Sequence, residues 1–328
     1  MNRIMGAGGV RHFVGRLPGG RLAYLVLLWA IILTMPFWMP LVGGYTDLGT
    51  RILIMGLAAL ATNFAVGHTG VMSLGQAAYF GLGAYGVALT LKFIAPSTPL
   101  GFLVGIVLGT LGGVVLGYLM VKLRGIYFAL ASIAFGQVFF YIAFRWSAVT
   151  GGDNGTNVTR MPIHFGFAQL DIAHGLVFFY FVAVIFAICA GLMAMVLRSP
   201  FGHTMLAIRE NEQRARFMNI HVNRHIWIAF TISCLFAAVA GVLYALLNDF
   251  IGPNALSWQL SGDFVLMGVL GGMRTFWGPL FGAAIFVLLR NYLSSVTGDW
   301  MFFIGLVFVV VVLFFPRGVL GLVRGKRS

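Results

Sequence analysis

His221 and His225 stand four residues apart, a spacing that puts two imidazoles on one face of a helix. Hydrolysis at a metal of the H-E-x-x-H type would require glutamate after the first histidine, where Val222 stands, and a third ligand, of which none is evident. The two cysteines, Cys189 and Cys234, lie in apolar runs and form no C-x-x-C pair, so they read as small buried residues. The nearest approach to a G-x-x-x-x-G-K-[ST] phosphate loop, at 321–326, has the wrong spacing and is followed by Arg327. No nucleophile sits beside a base. The sequence therefore predicts neither an enzyme nor a resident metal or cofactor. What remains is the chemistry of passage: isolated polar side chains inside otherwise apolar runs. Thr69, Ser73 and Gln76 lie in one such run and Ser261 and Asp263 in another, and these five are the candidates to line a solute pathway. His68 either lines the same pathway or caps a break in a helix.

The elements that hold these residues follow from composition. The chain has 328 residues, 60% hydrophobic and 9% charged. A soluble domain carries about 25% charge, so lipid must cover this one. A helix of roughly 20 apolar residues crosses a hydrocarbon core about 30 Å thick. Apolar runs of about that length recur near 22–43, 52–67, 70–93, 101–121, 126–146, 175–197, 226–247, 261–273, 277–293 and 301–316. The runs are continuous and not alternating, which speaks against a β-barrel. The expected fold class is an all-α integral membrane protein of about ten transmembrane helices, in one transmembrane domain over 1–328. The run at 22–43 is too long for the apolar region of a cleavable signal and reads as the first span.

The net charge of +13 first suggests nucleic acid, but the charges lie between apolar runs. With ten spans both termini share a side. That side holds all of the 21 basic residues except Arg51, Lys92, Arg145, Arg160 and Arg290. The positive-inside rule then makes both termini cytoplasmic. Trp38, Trp146, Trp227 and Trp300 fall at span ends, as interfacial tryptophans do.

Two spans differ from the others. The stretch GHTGVMSLGQ at 67–76 and the stretch at 261–282, with Gly271-Gly272, Arg274 and Gly278-Pro279, carry glycines and polar groups in place of aliphatic residues. They are the third and eighth of ten. In a 5+5 division they occupy matching positions of two halves in opposite orientation, the pattern of broken helices at a transport pathway. Broken helices also expose backbone N–H groups suited to a carboxylate. The simpler alternative is that the glycines only permit close packing. For the fourth span, with Gly101, Gly105, Gly109, Gly113 and Gly117 on nearly one face, close packing is the expected role.

Residues 198–225 form the largest cytoplasmic segment. Ser199-Pro200 is a helix start, and 204–217 are mostly good helix formers. Met205, Leu206, Ile208, Ala215 and Phe217 supply an apolar side, and Arg209, Glu210, Glu212, Arg214 and Arg216 a polar one. The segment reads either as a charged loop that fixes topology or as an amphipathic docking helix for a cytoplasmic partner.

At this loop the chain resembles the permease subunits of branched-chain amino acid ABC importers, particularly the LivM type. The resemblance rests on SPFG…AIRENE…RA at 199–215, GHTGVMSLGQAAYFGLGAY at 67–85, RGIYFAL at 124–130, TGGDNG at 150–155, LGGM…WGPLFGA at 270–283 and FFPRG at 314–318, in that order over nearly the whole chain. It implies a second, related permease, two cytoplasmic ATPase subunits and a periplasmic substrate-binding protein as partners. It also implies an ATPase-coupling region from 201 to 219 that includes Phe201, Arg209, Glu210, Asn211 and Glu212. Two departures stand out: Met218-Asn219 replaces the usual Leu-Gly, and Arg274 stands where a small residue is common. The alternative function is an ion-coupled carrier of small polar solutes. Such carriers place ionisable groups within the membrane, and here only Asp263 and Arg274 come close.

Overall fold

The computed structural model describes residues 18–39, 46–161, 163–165, 168–170, 174–273, 275–314 and 318. Arg274 and the basic termini lie outside the described residues. Among the described residues, helices overlap the apolar runs: α1 (Pro18–Trp38), α2 (Thr46–Asn63), α3 (Gln76–Leu89), α4 (Thr98–Met120), α5 (Ile126–Arg145), α7 (Gly175–Arg198), α10 (Val222–Asn248), α11 (Trp258–Gly271), α12 (Gly278–Val296) and α13 (Trp300–Phe314). Three shorter helices lie between them, α6 (Ser147–Thr150), α8 (Pro200–Glu210) and α9 (Glu212–Phe217). Among the described residues, seven helices are long and apolar enough to cross a membrane, and Val26–Trp38 and Trp300–Val311 are shorter apolar helices.

The two unusual spans depart from simple helices in a shared way. Each contains a helix of 14 residues, α3 and α11. α3 continues through a π turn over Thr90–Ile94 to 19 residues in all, whereas α11 at 1.5 Å per residue is about 21 Å long, short of a core about 30 Å thick. The sequence places the third span at 70–93, but regular helix starts only at Gln76. α2 ends in a π turn over Phe64–His68, and 69–75 run without helix. α11 is likewise preceded by non-helical chain, a single 3-10 turn at Pro253–Leu256 that packs on α3. The glycines and polar residues of 67–76 thus mark an unwound approach to α3.

The core is a close trio of α3, α4 and α10. The glycine stripe of α4 supplies the closeness. A Cβ on Gly105 would come within 2.5 Å of the Gly83 carbonyl, one on Gly109 within 2.4 Å of Ala238 Cβ, and one on Gly113 within 2.5 Å of Cys234 Cβ. This is the packing role expected of the stripe, since lipid gives helices no hydrophobic reason to associate and close approach must. Aromatic rings fill the remaining volume, with Tyr79 edge-on to Phe230 at 5.5 Å and Phe80 against Phe264 at 5.3 Å. A second hairpin, α11 on α12, packs against α2.

Opposite the α8–α9 end, the TGGDNG stretch forms a compact turn that closes one end of the bundle. β1 (Thr156–Asn157) pairs antiparallel with β2 (Phe250–Ile251). Arg160 then clasps the end of α10. It donates to both Asp249 carboxylate oxygens, at 2.8 and 3.0 Å, and to the Leu247 carbonyl at 2.8 Å. Its guanidinium lies 4.8 Å from the centre of the Phe178 ring.

Glycines in the trio and outside it respond oppositely to a methyl group. In Gly241→Ala the new Cβ falls 1.8 Å from the Phe80 carbonyl oxygen, which cannot move without its helix. The expected loss is about 1–3 kcal/mol, read as a lower melting temperature in detergent. Gly191→Ala meets nothing within 4 Å and gains helix propensity, so it should be neutral or stabilising by up to about 1 kcal/mol.

Candidate functional site: an unwound segment tied to a polar helix pair

Unwound backbone inside an apolar bundle must find partners for its own N–H and C=O groups. Residues 64–77 find them in an unusual way, mostly through side chains. The turn after α2 is closed by Thr69 N–H on the Phe64 carbonyl (3.1 Å), Val71 N–H on the Ala65 carbonyl (2.8 Å) and Thr69 Oγ1 on the same Ala65 oxygen (2.7 Å). His68 Nδ1 lies 3.3 Å from the Asn63 carbonyl, so this histidine sits on the helix break. Further along, Leu74 N–H donates to Ser132 Oγ of α5 at 3.0 Å, and Gly75 N–H lies 3.5 Å from Ser73 Oγ. Ala77 N–H donates to Ser261 Oγ of α11 at 2.9 Å. Three elements therefore meet at the start of α3.

Of the five expected pathway residues, four belong to this place. Thr69, Ser73, Gln76 and Ser261 are all buried, and Ser261 joins the two unusual spans directly. Gln76 has no exposure, and among the described residues neither its amide nitrogen nor its oxygen has a hydrogen-bond partner. Each such group costs about 1–3 kcal/mol relative to a satisfied one. Asp263 lies apart from the cluster, in a cavity with Arg290 and Arg51 at the end of the bundle opposite α8.

The polar loop supplies the second half of the site. Ser199 caps α8 by accepting from Gly202 N–H (3.4 Å), with Pro200 in the first turn. The expected continuous helix over 204–217 is interrupted at Asn211. There the backbone is extended, and Asn211 Oδ1 accepts from Arg214 N–H at 2.9 Å to start α9. An asparagine competes with the helix through its own side chain, which is why it caps and breaks. The break also divides the apolar side: Met205, Ile208 and Ala215 are buried, while Leu206 and Phe217 are exposed. Phe201 stacks on His225 of α10, centroids 5.7 Å apart, which accounts for one of the two histidines.

Arg209 Nη1 donates to the Gly67 carbonyl, at the end of the π turn. The Arg209 stem covers Gly70, whose φ is +77° and where a Cβ would lie 2.8 Å from Arg209 Cγ. Gly67 in turn packs on the turn between α11 and α12: a Cβ there would come within 2.3 Å of the Met273 carbonyl and 2.1 Å of Asn63 Oδ1. Asn63 Nδ2 donates to the Thr275 carbonyl at 3.2 Å. One guanidinium thus reaches the junction of α2, the unwound segment and the α11–α12 turn. Beside it is a cleft of about 230 Å³ lined by Thr69, Gly70, Arg124, Arg209 and Glu212 among others.

Glu212 anchors α9. It accepts from Arg124 Nε with both oxygens at 2.9 Å and from Arg216 Nη2 at 2.7 Å. Arg124 also donates to the Val121 carbonyl at the end of α4 and to Asn223 Oδ1. Partial burial pushes the Glu212 carboxyl up, but the hydrogen bonds and charges of Arg216 and Arg124 outweigh it and hold the pKa below the usual glutamate value. Glu210 is exposed with no side-chain partner among the described residues. Asn219, where the resembling family has glycine, has φ +60°. That is a left-handed position, and asparagine tolerates it better than other non-glycine residues.

Sequence reasoning singled out the two segments but missed how they join. Gly67 acts through its carbonyl, which no pattern advertises. Arg124, Arg51 and Arg290 were read as topology markers. Asn63 and Ser132 are single polar residues in apolar runs, and that isolation was the available signal.

The family described as "branched-chain amino acid transport system / permease component" matches residues 44–312. The chain is 26% identical to the high-affinity branched-chain amino acid transport system permease protein LivM of Salmonella typhimurium, over 96% of this chain and 79% of that one. It is 27% identical to the LivM protein of Escherichia coli, over 92% of this chain and 75% of that one. It is 25% identical to the probable branched-chain amino acid transport permease protein LivH of Methanocaldococcus jannaschii, over 84% and 94%. No solved structure matches.

Two outcomes follow from this geometry. Because the folded Glu212 pKa is lowered, its stabilising contribution is full above the ordinary glutamate value of 4.5 and is lost as pH falls through the lower folded value. The protection of amides over 211–217, taken relative to the intrinsic exchange rate at each pH, should therefore stay high down to about pH 4.5 and fall only in stronger acid; Glu212→Gln should show lowered protection already at neutral pH. Asn219→Gly should leave the melting temperature unchanged or raised, while Asn219→Val should cost about 1–2 kcal/mol, the left-handed penalty.

Proposed function

This chain belongs to the branched-chain amino acid transport permease family, and from that premise we propose that it forms half of the translocation pathway of an ATP-driven importer for branched-chain or related amino acids. The observation that carries the reading is the bond from Arg209 on α8 to the Gly67 carbonyl. It gives a cytoplasmic partner a mechanical hold on the unwound segment.

In this reading α8 and α9 dock an ATPase subunit. Glu210, Leu206, Phe217 and Met218 form the exposed contact face, while Phe201, Arg209, Asn211 and Glu212 hold the pair in position. Displacement of α8 pulls on Gly67 and shifts the segment carrying Thr69, Ser73 and Gln76 against Ser261. The buried Gln76 amide then gains solute or water as the partner it lacks at rest. Two ATPase subunits, a second related permease and a periplasmic binding protein complete the importer. The LivM and LivH relatives are named as permease proteins of such amino acid transport systems.

Ten spans, with both termini and the α8–α9 loop in the cytoplasm of a bacterium, fit the helix order and the distribution of basic residues. A 5+5 inverted repeat is supported by the packing pattern. α3 packs on α4 with both against α10, α11 packs on α12 with both against α2, and α2 touches α10 between them. α3 and α11, each preceded by non-helical chain, then correspond.

Reconstitution separates this reading from an ion-coupled carrier. Uptake should require ATP and the partner subunits, and uptake by this chain alone on an ion gradient contradicts the proposal. Glu210→Arg should insert and fold normally but leave ATP hydrolysis running without matching uptake. A drop of roughly tenfold in solute moved per ATP is the scale of an ordinary coupling free energy. Unchanged stoichiometry in that variant would remove the docking role of α8.

A further inference from the structure

A cavity of about 130 Å³ opens between α2, α10, α11 and α12, at the end of the bundle opposite α8. Its polar wall includes Arg51 from α2, Asp263 from α11 and Arg290 from α12, and its apolar wall includes Leu48, Met267 and Phe286. The three charged groups do not satisfy one another. Asp263 Oδ2 and Arg290 Nη1 are 4.0 Å apart, too far for a hydrogen bond. Arg51 donates to Asn248 Oδ1 at 2.8 Å and forms no ion pair among the described residues. Arg290 lies 4.8 Å from the centre of the Trp300 ring. The closed pairs elsewhere, Arg124–Glu212, Arg160–Asp249 and Arg216–Glu212, are 2.7–2.9 Å. Side-chain exposures of 29% for Asp263 and 48% for Arg290 leave the groups reachable from outside.

Charged side chains along membrane helices are costly and mark solute paths. Here two guanidiniums and one carboxylate stand around a small space with an aliphatic and aromatic wall. We propose that this cavity is an entry subsite for a small zwitterion with an apolar side chain. The solute carboxylate accepts from Arg51 and Arg290, its ammonium donates to Asp263, and its hydrocarbon part lies on Leu48, Met267 and Phe286. A zwitterion supplies both missing partners at once. A neutral amide or a simple anion leaves at least one charge without a partner and so forgoes one charged hydrogen bond. The cavity is well below the roughly 300–1,000 Å³ of sites for drug-sized ligands, so it admits only a small solute. The inference rests on the amino acid importer reading and extends it: this permease itself recognises the head group of the solute on entry, before the buried Gln76 region.

The test uses the purified full chain in lipid nanodiscs, with binding followed by saturation-transfer NMR. The probes are L-leucine, L-leucinamide, which lacks the carboxylate, and 4-methylpentanoate, which lacks the ammonium. The wild-type chain should bind leucine at least about tenfold more tightly than either analogue, the effect of one ordinary charged contact. Asp263→Asn should remove the margin over 4-methylpentanoate, and Arg290→Gln the margin over leucinamide, each with an unchanged melting temperature. Equal binding of all three probes by the wild-type chain overturns the proposal without needing any variant, as does a margin that survives both substitutions. ATP-driven leucine uptake by the assembled complex reports separately on the importer reading. Uptake without a binding margin sinks only the subsite, whereas a wild-type complex that takes up no leucine sinks the substrate reading on which it rests.

Discussion

Backbone that leaves the helix inside an apolar bundle has no water to bond, and most of the internal arrangement of this protein answers that constraint. Residues 69–75 are unwound, yet Leu74, Gly75 and Ala77 each direct an N–H to a serine hydroxyl, from Ser132, Ser73 and Ser261 in turn. The Gly67 carbonyl, exposed where α2 ends, accepts from Arg209. An N–H held by a hydroxyl can be released to another hydroxyl, to water or to solute at little cost, whereas a helical bond is lost only with its turn. Side-chain partners thus give the segment a defined resting position without locking it. Gln76 is the exception that gives the arrangement a direction, since its amide is buried and unpartnered while the surrounding backbone is satisfied.

The rigid frame around this segment comes from glycine. α4 meets α3 and α10 at distances where a methyl group would overlap backbone or Cβ atoms. Close helices pack over large areas without needing polar contacts, so the polar side chains remain available for the unwound segment and for the ends. The charged residues divide into closed and open sets. Arg124–Glu212 and Arg160–Asp249 are short and multiply bonded, and they fasten loops at opposite ends. Arg51, Asp263 and Arg290 are left loosely paired around a cavity, which is where a solute has something to gain.

Much of this was legible in the sequence. Apolar length located the seven described helices that are long and apolar enough to cross a membrane, because the requirement of a helix in lipid is coarse and strong. The glycine stripe of α4 announced its packing role because i, i+4 spacing has few other uses. The stretch at 67–76 was marked as unusual by its composition. What could not be read was the partner of each polar group. Arg209 and Gly67 are 142 residues apart, and Ser261 and Ala77 are 184 apart. Such pairs exist only after the helices have packed. The break at Asn211 was hidden for a different reason: residues on both sides favour helix, and one competing side chain decided the outcome. Asp263 was grouped with Ser261 because only Gly262 separates them in sequence, but in α11 that spacing turns them to different faces.

The central claim is that the unwound segment is closed at rest and opened through α8. Its most direct measurement is the accessibility of a cysteine placed at Ser73 to a membrane-impermeant thiol reagent, in the assembled complex. The native cysteines, Cys189 and Cys234, are both buried. The account predicts protection in the resting complex, labelling during ATP turnover, and labelling at rest once Arg209→Ala has cut the bond to Gly67. Protection that is the same in all three conditions would contradict it.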